Sequence, residues 1–245
     1  MTNALETKQL VKKFGGVVAI DRFSVQIRKG EITGIIGPNG SGKTTFINVL
    51  TGISAMDGGR VVIGDQQEKG GIKAWEVFEL GIARTFQNIR LFEQMSVQDN
   101  VLIAMTKRSP LAALFERHRD IHETLVKEVL TRVGLYDKRR ALAKELSYGQ
   151  RKLLEIARAL ATSADMILFD EPFAGLFPEM VRVVSDILKE LRAGEKTVVL
   201  IEHDMAIIRE LCDRIIVMDA GQLLAEGMPK QVLTNPAVIE AYLGV

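Results

Sequence analysis

The stretch Glu31–Leu50, EITGIIGPNGSGKTTFINVL, decides the fold. It begins with an almost wholly apolar run, as a strand buried on both faces requires. It ends with Phe46, Val49 and Leu50 at helical spacing, and Gly52 stands where a helix C-cap is expected. Between the two, Gly37, Gly42, Lys43 and Thr44 satisfy G-x-x-x-x-G-K-[ST]. A glycine-rich loop that leaves a strand and opens a helix aims backbone N–H groups and the positive helix end at one point, which makes a phosphate site. Gly37, Pro38, Asn39, Gly40, Ser41, Gly42, Lys43, Thr44 and Thr45 are therefore the candidate nucleotide-binding residues. The Lys43 ammonium is expected to reach the β- and γ-phosphates and the Thr44 hydroxyl to bind Mg²⁺.

Two further strands point at the same place. MILFDE carries Asp170 and Glu171 at the carboxyl end of an apolar run, where open α/β sheets place their ligand sites. Asp170 suits Mg²⁺ binding, and Glu171 suits a general base that aligns water. The next strand, TVVLIEH, ends at His203, which puts a third polar group at that edge and favours a γ-phosphate contact.

β-rich segments around Glu6–Val11, from Val17 and from Gly59 come early in the chain, and helical periodicity dominates from about Asn88 to Ser147. The expectation is an α/β chain: one domain over 1–245, with a P-loop NTPase core and mainly parallel sheet plus an antiparallel β subdomain (1–87 and 150–245), and a helical subdomain over 88–149.

Bulk properties narrow the function. The 245 residues are 47% hydrophobic and 26% charged, ordinary for a globular protein. Lys and Arg number 32 against 31 Asp and Glu, whereas nucleic-acid binders usually show a clear basic excess. The single cysteine, Cys212, precludes an internal disulfide framework. No apolar run approaches the roughly 20 residues needed to span a bilayer, and the N-terminus reads as no secretory signal. His118 and His122 lie four apart, like a metal pair on a helix, but HRDIH lacks the zincin glutamate, so the reading is a solvated face.

The stretch Leu146–Ala161, LSYGQRKLLEIARALA, together with the phosphate loop and the Asp-Glu strand, resembles the ATP-binding cassette (ABC) ATPases over essentially the whole chain. The resemblance implies that Ser147, Gly149 and Gln150 bind the ATP of a facing subunit, although Ser147 and Gln150 also form a capping box that simply starts a helix. It further implies Phe14 stacked on adenine, Gln87 linking Mg²⁺ and water to the membrane partner, and His203 as the switch histidine. Catalysis would then rest on Glu171, His203 and Gln87, and Mg²⁺ on Thr44, Gln87 and Asp170. Two positions depart from the common pattern: Tyr148 replaces a glycine, and Phe177 stands where an aspartate is usual.

LSYGQ, the segment ELGIARTFQNIRLFEQMSVQDNV and the ending NPAVIEAYLG look like the branched-chain amino-acid importers. The expected function is the ATPase subunit of such an importer, using ATP and Mg²⁺, peripheral on the cytoplasmic face of the membrane. The implied partners are transmembrane permease subunits, a second identical or related ATPase subunit and, indirectly, a solute-binding protein, with no nucleic acid. The rivals are a lipopolysaccharide-export or urea-import ATPase and a soluble cassette protein; a GTPase lacks its N-K-x-D motif here.

Overall fold

The computed structural model describes residues 2–64, 67–105 and 119–243. In chain order it contains β1 (Asn3–Phe14), β2 (Val17–Arg28), β3 (Ile32–Ile36), α1 (Lys43–Leu50), β4 (Gly58–Ile63), β5 (Gln67–Lys69) and β6 (Ile82–Arg84). Then come α2 (Val97–Met105), α3 (Arg119–Arg132), α4 (Tyr148–Leu160), β7 (Met166–Asp170), α5 (Pro178–Ala193) and β8 (Thr197–Ile201). The chain continues through α6 (Met205–Leu211), β9 (Arg214–Asp219), β10 (Gln222–Gly227), α7 (Pro229–Val232) and α8 (Pro236–Leu243). These elements form two compact units: Met1–Arg84 with Asp165–Glu171 and Leu188–Val245, and Thr85–Ala164 with Pro172–Ile187.

In the first unit, one sheet has the order β10-β9-β3-β8-β7-β6. β3 runs parallel to both β8 and β9, and β7 runs parallel to β8 and β6. Every residue of β3, β7 and β8 is buried, which is why ITGII, MILFD and TVVLI are nearly continuous apolar runs rather than alternating ones. β9 returns as β10 through a two-residue turn in which Ala220 and Gly221 both have positive φ, the geometry that matches strand twist in a tight hairpin. Gly34 of β3 leaves room for Cys212: a Cβ there would lie 2.8 Å from its Sγ. Burial pushes that thiol up to about 12, so the one cysteine is a packing residue.

The second sheet is antiparallel, in the order β2-β1-β4-β5. β2 alternates, burying Ile20, Phe23, Val25 and Ile27. Those side chains share a core with α1, where the Phe23 and Phe46 rings meet edge to face at 5.1 Å.

In the second unit α2, α3 and α4 pack on one another. α3 buries Val126, Val129 and Leu130, and α2 buries Val97, Asn100 and Val101. His118, and the side chain of His122, lie outside the described residues.

Candidate active site

The loop between β3 and α1 is held by its surroundings. A Cβ on Gly37 would lie 2.1 Å from the Met218 carbonyl oxygen, and one on Gly42 2.6 Å from that of Ala19, so both positions demand glycine. The β9–β10 turn fixes the loop further, because the Gly221 N–H donates to the Ser41 carbonyl at 3.0 Å. Lys43 is buried under this loop, and its Nζ donates to the carbonyls of Gly37 (2.7 Å) and Pro38 (2.9 Å). Burial lowers the Lys43 pKa, and the nearby Glu171 and Asp170 carboxylates oppose that shift. Thr44, in the first turn of α1, is exposed, and Thr45 after it is half-buried.

Because β3, β8 and β7 are adjacent and parallel, Gly37–Thr44, His203 and Asp170–Glu171 all emerge at the same carboxyl edge. Asp170 is 1% exposed, and its Oδ2 accepts from Arg84 Nη2 at 2.8 Å. Arg84 also donates to Asn48 Oδ1 at 2.7 Å and Thr51 Oγ1 at 3.1 Å, both on or just after α1. One guanidinium thus ties the carboxylate of β7 to the helix that carries the phosphate loop. Sequence reading missed Arg84; its only signal is a charged residue inside the run GIARTF.

Glu171 has φ +51, a left-handed conformation rare for a residue of this type, held by its N–H to the Ile201 carbonyl at 3.0 Å. That backbone turn aims the side chain at His203, whose Nε2 lies 2.5 Å from Glu171 Oε1. Carboxylate and imidazole are hydrogen-bonded to each other on the sheet edge that also carries the Lys43 loop.

Phe14 ends β1 with half its surface exposed, and Lys12 Nζ sits 5.0 Å from its ring centroid. A second residue missed in the sequence is Tyr242 of α8, whose hydroxyl hydrogen-bonds the backbone of Gly37; burial pushes its pKa up to about 12. It brings the C-terminal helix to the first glycine of the loop.

In the second unit, Ser147 is the N-cap of α4. Its hydroxyl accepts from the Gln150 N–H at 3.3 Å, and Gln150 Oε1 accepts from the Ser147 N–H at 3.2 Å. Gly149 is buried against α5, where a Cβ would lie 2.5 Å from Met180 Sδ. Tyr148 lies over Gly175, since a Cβ there would come 2.9 Å from its Cε1. The tyrosine is thereby packed on the chain after β7. Gln87 is exposed, at the head of this unit, and Phe177 is 70% exposed.

The donor set fits a nucleotide with Mg²⁺. The loop is closed to any side chain at Gly37 and Gly42, as a phosphate cradle requires, and Lys43 supplies a buried cation. Thr44 and Asp170 offer oxygen ligands only, the preference of a hard cation that completes its shell with phosphate oxygens and water. Among the described residues no group of three His, Cys, Asp or Glu side chains could hold a metal by itself, and no helix is long and apolar enough to cross a membrane.

Residues 20–174 match the family model described as ABC transporter, and residues 222–245 match a second one, the branched-chain amino acid ATP-binding cassette transporter model. The chain is 37% identical over 249 residues to the high-affinity branched-chain amino acid transport ATP-binding protein LivG of Escherichia coli (strain K12), covering 98% of this chain and 97% of that one. Two solved structures, each 38% identical with full coverage of both chains, superpose closely. One is a nucleotide-free ATP-binding cassette from an ABC transporter, with a TM-score of 0.87; the other is the ADP conformation of an ATP-binding cassette, with a TM-score of 0.85. With the phosphate loop, the Asp170–Glu171 strand end and the Ser147-capped helix each in place, the chain belongs to the ABC transporter family.

Proposed function

We propose that the chain is the ATP-hydrolysing subunit of a branched-chain amino-acid importer, docked on separate permease subunits at the cytoplasmic face of the membrane. The observation that carries this reading is the Glu171–His203 contact at 2.5 Å, on the same sheet edge as the phosphate loop. Similarity to LivG over nearly the whole chain supports the choice of solute.

ATP is the substrate. In this proposal its phosphates lie against the Gly37–Thr45 amides and Lys43, and its adenine against Phe14. Thr44 and Asp170 would hold Mg²⁺, which would supply positive charge against the phosphate oxygens. Glu171 takes a proton from the attacking water, and His203, hydrogen-bonded to it, keeps the carboxylate aimed and contacts the γ-phosphate. Arg84 holds the buried Asp170 carboxylate in place through their 2.8 Å ion pair. The parts given to Gln87, and to Ser147, Gly149 and Gln150 on the ATP of a facing subunit, rest on the family resemblance. Closure of two such subunits around ATP, and reopening after hydrolysis, would drive the permease between its two states.

Reconstitution tests it. Proteoliposomes carrying this chain, branched-chain amino-acid permease subunits that co-purify with it and the matching solute-binding protein should accumulate leucine with ATP and fail to do so with Glu171→Gln. Uptake of urea instead of leucine, or export of lipopolysaccharide, would overturn the choice of solute.

A further inference from the structure

α4, capped by Ser147, buries Leu153, Leu154, Ile156 and Ala157, yet Glu155, in the middle of that row, is only 6% exposed. Burying a carboxylate costs several kcal/mol unless it is well bonded. Its bonding here is specific. Oε1 accepts from the Phe86 N–H at 3.1 Å, and the same carboxylate accepts from the Arg90 N–H. One side chain therefore grips both ends of the five residues Phe86–Arg90, with Gln87 between them.

Other contacts close the same loop. Arg158, one turn along α4 from Glu155, donates its Nη1 to the Arg90 carbonyl, so Arg90 is held through its N–H and its C=O by two residues of one helix. The Arg90 guanidinium lies 4.1 Å from the Phe86 ring centroid, and Arg158 lies 5.4 Å from that of Phe92. Phe92 is tied to α2 through Asn100, which is fully buried: Asn100 Oδ1 accepts from the Phe92 N–H at 2.9 Å, and its Nδ2 donates to the Phe92 carbonyl at 3.0 Å. Gln87 and Asn88 stay exposed at the crown of the closed loop.

We propose that Glu155 and Arg158 are positioning residues for Gln87, clamping the loop Phe86–Arg90 onto the helix whose N-terminus carries Ser147 and Gln150. The proposal rests on the ATPase reading above. Its chemistry follows from the donors: an acceptor with several lone pairs satisfies two loop N–H groups, and a guanidinium satisfies the loop carbonyl. An apolar residue at 155 would leave both N–H groups without their acceptor and release the loop. The clamp also makes the Ser147 end of α4 and the Gln87 loop move as one piece.

The test uses the full chain with Glu155→Leu, Glu155→Gln, Arg158→Gln, Gln87→Ala and the double variant Glu155→Leu/Gln87→Ala. Glu155→Gln keeps an acceptor oxygen at the same reach and is expected to fold normally. Hydrogen exchange of peptides covering 85–92 should speed up in Glu155→Leu and Arg158→Gln and stay near wild type in Glu155→Gln. With MgATP, Glu155→Leu should lower kcat on the order of ten- to a hundred-fold, as displacement of a positioned group does, with KM changed by no more than about two-fold. The double variant should be no slower than Gln87→Ala, because a residue acting through Gln87 has nothing left to act on. Additive losses in the double variant, or faster loop exchange with unchanged kcat, would overturn the proposal while leaving the ATPase reading intact. Unchanged exchange in Glu155→Leu would overturn the clamp itself. A wild-type chain that binds ATP without turnover would defeat the functional reading instead, a result that the exchange measurements cannot mimic.

Discussion

Asp170 and Arg84 illustrate how far a single residue can be read from sequence. Asp170 was legible because an acidic residue at the end of MILFD has few structural uses. Arg84 was not, because nothing local distinguishes it from a surface arginine; its burial is produced by β7 and α1, which come from distant parts of the chain. The pair makes a stability prediction. Arg84→Leu leaves the Asp170 carboxylate buried without its cation, a change that costs about 3–5 kcal/mol when one partner of a buried pair is removed. Urea unfolding should show the midpoint falling with the m-value unchanged. A loss below about 1 kcal/mol would mean that the pair is no better than a surface contact. Glu171→Gln makes the complementary prediction about chemistry. The amide retains the hydrogen bond to His203 but cannot take a proton, so turnover should drop by about 10²–10⁴-fold. Nucleotide affinity measured by fluorescence titration should persist, since Lys43 and the loop amides are untouched.

Among the elements, β3, β7 and β8 were plain in the sequence because a strand buried on both faces must be apolar throughout. α1 and the Ser147 cap were equally plain, since a phosphate loop and a capping box each specify where a helix starts. β6 was missed: three residues at a sheet edge carry no period to detect. Glu155 was missed for another reason. A glutamate in a helix is normally on the wet face, and here the loop Phe86–Arg90, far away in sequence, covers it. Burial pushes Glu155 up from 4.5 to about 7, against the Phe86 and Arg90 N–H bonds and the charges of Arg158 and Lys152 on its own helix; Arg90 is the charged residue of the covering loop. The folded state therefore holds a proton that the unfolded chain has released, and the sign follows: this group's contribution to stability is complete below pH 4.5 and is lost as pH rises through about 7. The full effect is about 3 kcal/mol. Unfolding free energies measured in urea at pH 5.5 and pH 8 should fall more steeply for wild type than for Glu155→Gln. Parallel pH profiles for the two proteins would remove Glu155 as the titrating group.

At the scale of the whole molecule, the Gly37–Thr45 phosphate loop and the Ser147-capped start of α4 are each half of a site in the proposed function. If each ATP is enclosed by the Gly37–Thr45 loop of one subunit and the Ser147–Gln150 turn of its neighbour, nucleotide should act as the glue between copies. Binding energy that both subunits share stabilises only the closed pair, so closure follows ATP occupancy by mass action. Hydrolysis would dissolve the pair and hide it in wild type. If Glu171 is the base, Glu171→Gln slows turnover and removes a negative charge from the γ-phosphate side of the site, so the closed form should accumulate. Size-exclusion chromatography of that variant should give a dimer with MgATP and a monomer with MgADP or without nucleotide. Adding Ser147→Arg to the same background should return the ATP sample to monomer, because the larger side chain occupies the place of the facing phosphates. Circular dichroism must show α4 intact in that variant, as loss of the cap alone costs about 1 kcal/mol. A Glu171→Gln chain that remains monomeric while saturated with ATP would show that two copies of this chain do not enclose the nucleotide, and a related cassette would then have to supply the facing Ser147 turn.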